Sequence, residues 1–175
     1  METTSRVPAR LRPDLLGPAV TAALPPGDEV TVAAIDPSSS DTAEFCARYG
    51  VAPAEAANCV VVTGRRGGEN RYAAAVVLST MRADVNGVVR RLLDVRKASF
   101  APMSDAVAWT GMEYGGITPL GLPADWPVYV DAAVAAAPMV VVGSGLRGSK
   151  LWLPGAVLAA LPTATVQEIA TDPRS

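Results

Sequence analysis

Residues 110–121 form the segment whose residue types are most suited to binding a ligand through the main chain. The segment holds four glycines and one proline in twelve residues. Glycine lets a ligand approach the backbone where a side chain would block it, and proline restricts the chain direction. Composition alone fits an ordered surface loop equally well. Both interpretations stay open at this point.

A second glycine-rich segment, residues 143–148, reads G-x-G-x-x-G and has Glu168 twenty residues beyond it. This pattern is typical of dinucleotide-binding loops, which need a helix that opens at the third glycine. Residues 149–153 instead alternate polar and apolar types, so we predict a strand there and expect no nucleotide cofactor. The segment is then either a tight turn between strands or a turn whose amides bind an anion or polar ligand beside Arg147 and Lys150.

The chain contains no histidine. Ser-His-Asp and Cys-His catalysis both need an imidazole that titrates near neutral pH, so these mechanisms are excluded. The two cysteines, Cys46 and Cys59, match no zinc-binding spacing, and we expect no metal. Buried reduced thiols are the simpler interpretation, and Cys59 as an unassisted nucleophile is the alternative.

The length of 175 residues fits one domain spanning 1–175, and the formal net charge is −2. Such a charge creates no global field that attracts nucleic acid, so any contact of that kind must be local. The first twelve residues lack the apolar region of a signal peptide, and no apolar run reaches the roughly 18 residues of a membrane span. We therefore expect a cytoplasmic protein without a membrane partner.

Strands and helices are interspersed along the chain, with a β-hairpin in the middle. The hairpin and the short strands favour an α+β fold, a mixed sheet wrapped by helices, over a regular doubly wound sheet. An N-terminal tail and helix occupy 1–27. The predicted helices are 13–24, 41–49, 84–93, 104–109, the alanine-rich segment that follows Asp131, and 154–161, with one helical turn at 53–57. The predicted strands are 30–35, 59–63, 71–78, 97–101, 128–130, 139–142, 150–153 and 164–169.

The order of these segments resembles the YbaK/EbsC family, which includes the editing domain of bacterial prolyl-tRNA synthetases and its free-standing relatives. The resemblance covers about residues 36–170 in family order and spacing. It rests on Thr110-Gly111, on Gly115-Gly116-Ile117-Thr118-Pro119-Leu120-Gly121, on Val130-Asp131, on Val142-Gly143-Ser144-Gly145 and on the leucine-rich helix after Pro154.

The resemblance implies a curved mixed sheet surrounded by helices, with a pocket for the acceptor end of mischarged tRNA. It implies an aminoacyl-tRNA deacylase that acts in trans and serves translation fidelity. Water or a ribose hydroxyl is positioned against the ester, and backbone N–H groups stabilise the oxyanion. This scheme needs no cofactor, metal or side-chain nucleophile.

On these grounds we predict two sets of site residues, of which Asp131 fits a helix cap equally well. The predicted catalytic residues are Gly115, Gly116, Thr118, Pro119 and Asn58. The predicted substrate-binding residues are Thr110, Gly111, Asp131, Gly143, Ser144, Gly145, Arg147 and Lys150.

One position departs from the family pattern. Active family members carry a lysine at the start of the central hairpin, where this chain has Asn58 and Cys59. Asparagine can donate hydrogen bonds but brings no charge. The alternative function is therefore a binding module that keeps the pocket for aminoacyl-tRNA or a small ligand and has lost turnover.

Overall fold

A computed structural model of the chain describes every residue from Met1 to Ser175. The strands are β1 (Val7–Pro8), β2 (Thr31–Ala34), β3 (Ala57–Arg66), β4 (Glu69–Leu78), β5 (Arg82–Ala83), β6 (Ala98–Phe100), β7 (Val128–Asp131), β8 (Val140–Gly143), β9 (Ser149–Leu153), β10 (Ala164–Gln167) and β11 (Ala170–Thr171). The α-helices are α1 (Pro18–Ala23), α2 (Thr42–Tyr49), α3 (Arg90–Leu93), α4 (Met103–Thr110), α5 (Ala132–Ala135) and α6 (Gly155–Ala159).

The central hairpin joins β3 and β4, which pair antiparallel from Ala57 opposite Leu78 to Arg66 opposite Glu69. The predicted loop of this hairpin was longer than the turn that the structure has. Its connection is the two-residue turn Gly67-Gly68, both with positive φ, a conformation that glycine adopts without strain. The valine- and alanine-rich runs therefore continue as strands almost to the turn.

Two main sheets build the domain. The mixed five-stranded sheet has the order β10-β7-β4-β3-β6, with β7 parallel to both β4 and β10. The four-stranded sheet, with the order β1-β2-β9-β8, is entirely antiparallel. The predicted mixed α/β fold is confirmed. The second sheet is an addition to the single curved sheet that we expected.

The main core lies between these two sheets. A cluster of 19 buried apolar residues includes Val32 and Leu151 from the four-stranded sheet and Ala74 and Val130 from the five-stranded sheet. Neighbouring residues of β4 point the other way and pack on the helical segment Val85–Val89 in a second cluster of 11 buried residues. Burial on both faces explains why the strand is apolar at consecutive positions.

The N-terminal region differs from the predicted single helix over 13–24. A 3₁₀ turn spans Pro13–Leu15, and α1 begins only at Pro18. Proline has no N–H to donate and forces the residue before it into an extended conformation, which Gly17 adopts. The predicted tail is also in contact with the domain, because β1 pairs with β2.

None of the helices is both long and apolar enough to cross a lipid bilayer.

Candidate active site

A cleft of about 540 Å³ opens between the first half of β3 and the β8–β9 hairpin. Beside the cleft, an isolated parallel β-bridge joins Ala56, just before β3, to Val141 of β8. Asn58 lines it from β3, and Gly143 and Lys150 line it from β8 and β9. The topology thus brings together residues that are far apart in the sequence.

The glycine loop (residues 110–121) and the glycine-rich turn (residues 143–148) together form one continuous wall of the cleft. The amide of Glu113 donates to Gly145 O at 3.0 Å, and the amide of Gly145 donates to Gly116 O at 2.7 Å. The Glu113 carboxylate also accepts from the Arg147 amide at 2.8 Å. These bonds fix the two segments against each other before any ligand is bound.

Close backbone contact explains two of the glycines in this wall. A Cβ atom at Gly143 would lie 2.6 Å from Gly116 O and 2.7 Å from Ile117 O, which is closer than real contacts allow. Gly115 has a φ of +80°, and a Cβ atom there would lie 2.6 Å from Ser40 Oγ. Both positions therefore require glycine.

The main-chain amides of the loop differ in their hydrogen bonds. The Gly116 amide donates to Glu113 O at 2.9 Å and is held within the turn. The amides of Gly115 and Ile117, two residues that line the cleft, donate to no acceptor in the protein. The Tyr114 amide, also at the cleft, likewise has no acceptor, so the loop offers three free N–H groups to a ligand.

The segment before α2 supplies the remaining polar wall. Asp41 caps the helix by accepting from the amides of Ala43 and Glu44, which places Thr42 at the cleft. The Thr42 hydroxyl donates to Asn58 Oδ1 at 2.7 Å. This bond orients the Asn58 side chain and leaves its NH₂ group with two unused donors.

Comparison with known proteins identifies the family of this chain. A family model described as the aminoacyl-tRNA editing domain matches residues 36–161. This chain belongs to that family. Among solved structures, a protein described as a candidate trans-editing enzyme for prolyl tRNA synthetase has a TM-score of 0.74 and 22% identity, covering 89% of this chain and 99% of that one. The hypothetical protein APE2540 has a TM-score of 0.71 and 21% identity, covering 80% and 90%. No curated protein sequence matches.

Some of the predicted site residues line the cleft of this editing domain, and the others lie outside its lining. The predicted residues that line the cleft are Asn58, Gly115, Gly143, Arg147 and Lys150. Those outside its lining are Thr110, Gly111, Gly116, Thr118, Pro119, Asp131, Ser144 and Gly145.

Several residues of the second group have identifiable local contacts. Gly111 ends α4 in the left-handed conformation, and the Thr110 hydroxyl donates to Ala106 O at 2.7 Å. The Ser144 hydroxyl is hydrogen-bonded to that of Ser149 at 2.7 Å inside the turn. Asp131 caps α5 by accepting from the Ala133 amide at 3.0 Å.

The sequence pattern did not identify the aromatic mouth of the editing-domain cleft. Phe100 and Tyr114 line the cleft and are 60% and 56% exposed. The Arg147 guanidinium lies 5.3 Å from the centroid of the Tyr114 ring. Aromatic rings are buried on average, and a sequence does not show which of them are exposed.

Cys59 also lines the cleft, but its thiol is not activated. Burial raises the pKa of Cys59 to about 12. A thiol in that state carries almost no thiolate at neutral pH and is a poor nucleophile. Cys59 is therefore not suited to act as a nucleophile in this cleft.

Proposed function

We propose that this protein is a trans-acting aminoacyl-tRNA deacylase that removes a wrongly attached small amino acid. The observation that carries the proposal is the cleft itself, where free amides of a glycine loop meet polar side chains from three distant segments. Membership of the editing-domain family supports it. So does the likeness to a protein described as a candidate trans-editing enzyme.

The reaction is hydrolysis of the ester between the amino acid and the terminal ribose. Water adds to the carbonyl carbon, the bond to the ribose oxygen breaks, and a proton from the water ends on that oxygen. The Gly115 and Ile117 amides are the donors that we assign to the carbonyl oxygen as negative charge develops on it. Donors fixed in place before the reaction stabilise such a charge without reorganisation, and no histidine is needed.

The test is deacylation of a panel of mischarged tRNAs by the purified protein and by Gly115→Ala. A Cβ atom at position 115 would disturb the loop against Ser40 and shift the free amide. Since loss of one oxyanion donor costs about 10²–10³ in rate, we expect a fall of at least about 100-fold.

Gly27→Ala is the matched control for this experiment. Gly27 also has a positive φ, of +100°, but a Cβ atom there would have no other atom within 4 Å. The variant should carry a similar backbone strain and deacylate at the wild-type rate. Failure of the wild-type protein to accelerate hydrolysis of any panel member would contradict the proposal.

A second candidate function is binding of aminoacyl-tRNA or a small ligand without turnover. It is favoured by Asn58, a neutral residue whose Oδ1 is already engaged by Thr42. This function predicts that a non-hydrolysable aminoacyl-adenosine analogue binds while the matching ester survives. Hydrolysis of that ester well above the rate in buffer would exclude it.

A further inference from the structure

Lys150 is a charged residue that lies almost entirely inside the protein. Its exposed fraction is 6%, although lysine is among the residues least often fully buried. The side chain extends from β9, and its Nζ donates to Ser40 O at 2.8 Å. The ammonium also lies 5.6 Å from the centroid of the Phe45 ring. It therefore sits where β9 meets the segment that leads into α2.

The ammonium has few partners within the protein. It forms no salt bridge with any carboxylate. An ammonium has three N–H donors, and the protein supplies one acceptor, the Ser40 carbonyl. Burial lowers the pKa of Lys150, and the nearby charge of Asp41 opposes this shift. Because a buried charge without an ion-pair partner destabilises a fold, stability does not explain this residue.

The position of Lys150 in the cleft suggests a different reason. Lys150 lines the cleft together with Asn58 and Gly115. The other cation of the lining, Arg147, already donates to the carbonyl oxygens of Tyr114 and Pro37. Lys150 is thus the buried cation with unused donors at this site.

We propose that the Lys150 ammonium binds an electron-rich oxygen of the substrate at its aminoacyl end. The oxygen belongs either to the ester carbonyl or to the phosphate of the terminal nucleotide, and both accept strongly from an ammonium. The inference rests on the proposed function and adds to it the group that supplies positive charge. That charge comes from β9 of the four-stranded sheet, whereas the neutral Asn58 lies on β3 of the five-stranded sheet.

The first experiment uses the two lysines of the chain, Lys97 and Lys150. Protein labelled with ¹³C at lysine Cε is titrated with an aminoacyl-adenosine analogue that has an amide in place of the ester and no 5′-phosphate. A shift of the Lys150 signal with this form shows contact with the carbonyl end. The exposed Lys97 is the internal control and should stay unchanged.

The same analogue with a 5′-phosphate distinguishes the two sources of oxygen. A Lys150 shift with both forms assigns the contact to the carbonyl end, and a shift with the phosphorylated form alone assigns it to the phosphate. If the analogues shift the Gly115 amide but leave Lys150 unchanged, this inference is overturned while the proposed function stands. If neither analogue binds and no mischarged tRNA is hydrolysed, the proposed function and this inference both fail.

The second experiment compares Lys150→Met with Lys97→Met in single-turnover deacylation. A carbonyl contact predicts that Lys150→Met lowers the rate constant about 100-fold, whereas a phosphate contact predicts a higher Kd. Lys97 is exposed and lies outside the cleft lining, so the same substitution there should leave both constants unchanged. Unchanged constants in Lys150→Met, or an equal loss in both variants, would overturn the inference. Should Lys150→Met not fold, the labelled wild-type spectrum decides.

Discussion

Thr118 carries the only buried side-chain oxygen or nitrogen that lacks a hydrogen-bond partner. The sequence placed it among the predicted catalytic residues because it belongs to the glycine loop. In the structure it is fully buried and lies outside the cleft lining, while its neighbour Ile117 lines the cleft. A loop has no regular periodicity, so its sequence does not show which residues face a cavity. The role of Thr118 in catalysis remains a prediction.

The unpartnered hydroxyl leads to a prediction for stability. Thr118→Val should raise the free energy of unfolding by about 1 kcal/mol, because valine has nearly the same shape without the unsatisfied polar group. Urea denaturation measures the change. Thr110→Val is the matched comparison, since the Thr110 hydroxyl donates to Ala106 O and accepts from the Met112 amide. That variant should be less stable than wild type, and equal effects at the two positions would contradict the explanation.

Asp131, the last residue of β7, connects this strand to α5 and to the C-terminal residues. One carboxylate oxygen accepts from the Ala133 amide at the start of α5. The other accepts from the amides of Ile169 and Ala170, both at 3.0 Å, where β11 begins. The sequence predicted the cap, but the contact with the C-terminal residues depends on the tertiary fold. We infer that Asp131 fixes the end of the chain to the sheet.

Removal of these three bonds should be costly. We expect Asp131→Ala to lower the free energy of unfolding by about 2 kcal/mol or more, because it removes a helix cap and leaves the buried Ile169 amide without an acceptor. Asp14→Ala is the control, since Asp14 pairs only with the exposed Arg12 and should change stability much less. Thermal or urea unfolding compares the two variants. Equal losses would show that Asp131 contributes no more than a surface ion pair.

Strong local signals made part of the element structure predictable. The valine-rich run before Gly67-Gly68 and the alanine-rich run after it specify the central hairpin, and Asp41 and Gly50 mark the two ends of α2. The predicted extent of the N-terminal helix was wrong, because Pro18 can begin a helix but interrupts one that starts before it. The second sheet was not predicted, because β2 and β9 pair across most of the sequence and nothing local specifies that pairing.

At the scale of the whole molecule, the site exists only where the two sheets meet. The glycine loop and the turn at 143–148 could be identified from composition and from their order along the chain. Local sequence patterns could not show that Lys150 and Asn58 line one cleft, because this depends on how the two sheets meet beside the bridge between Ala56 and Val141. Ser40 and Thr42 were missed as cleft residues for the same reason. Their local pattern indicates only the start of a helix.

The central claim is that the free amides of the glycine loop bind the aminoacyl end of the substrate. The most direct measurement is a ¹⁵N–¹H spectrum of the protein during titration with the non-hydrolysable aminoacyl-adenosine analogue. The account predicts that the Gly115 and Ile117 amide signals move most, because it assigns these two of the loop's free N–H groups to the substrate carbonyl oxygen. The signal of Gly27, remote from the cleft, should stay unchanged. Saturable binding that moves other amides and leaves Gly115 and Ile117 in place would contradict it.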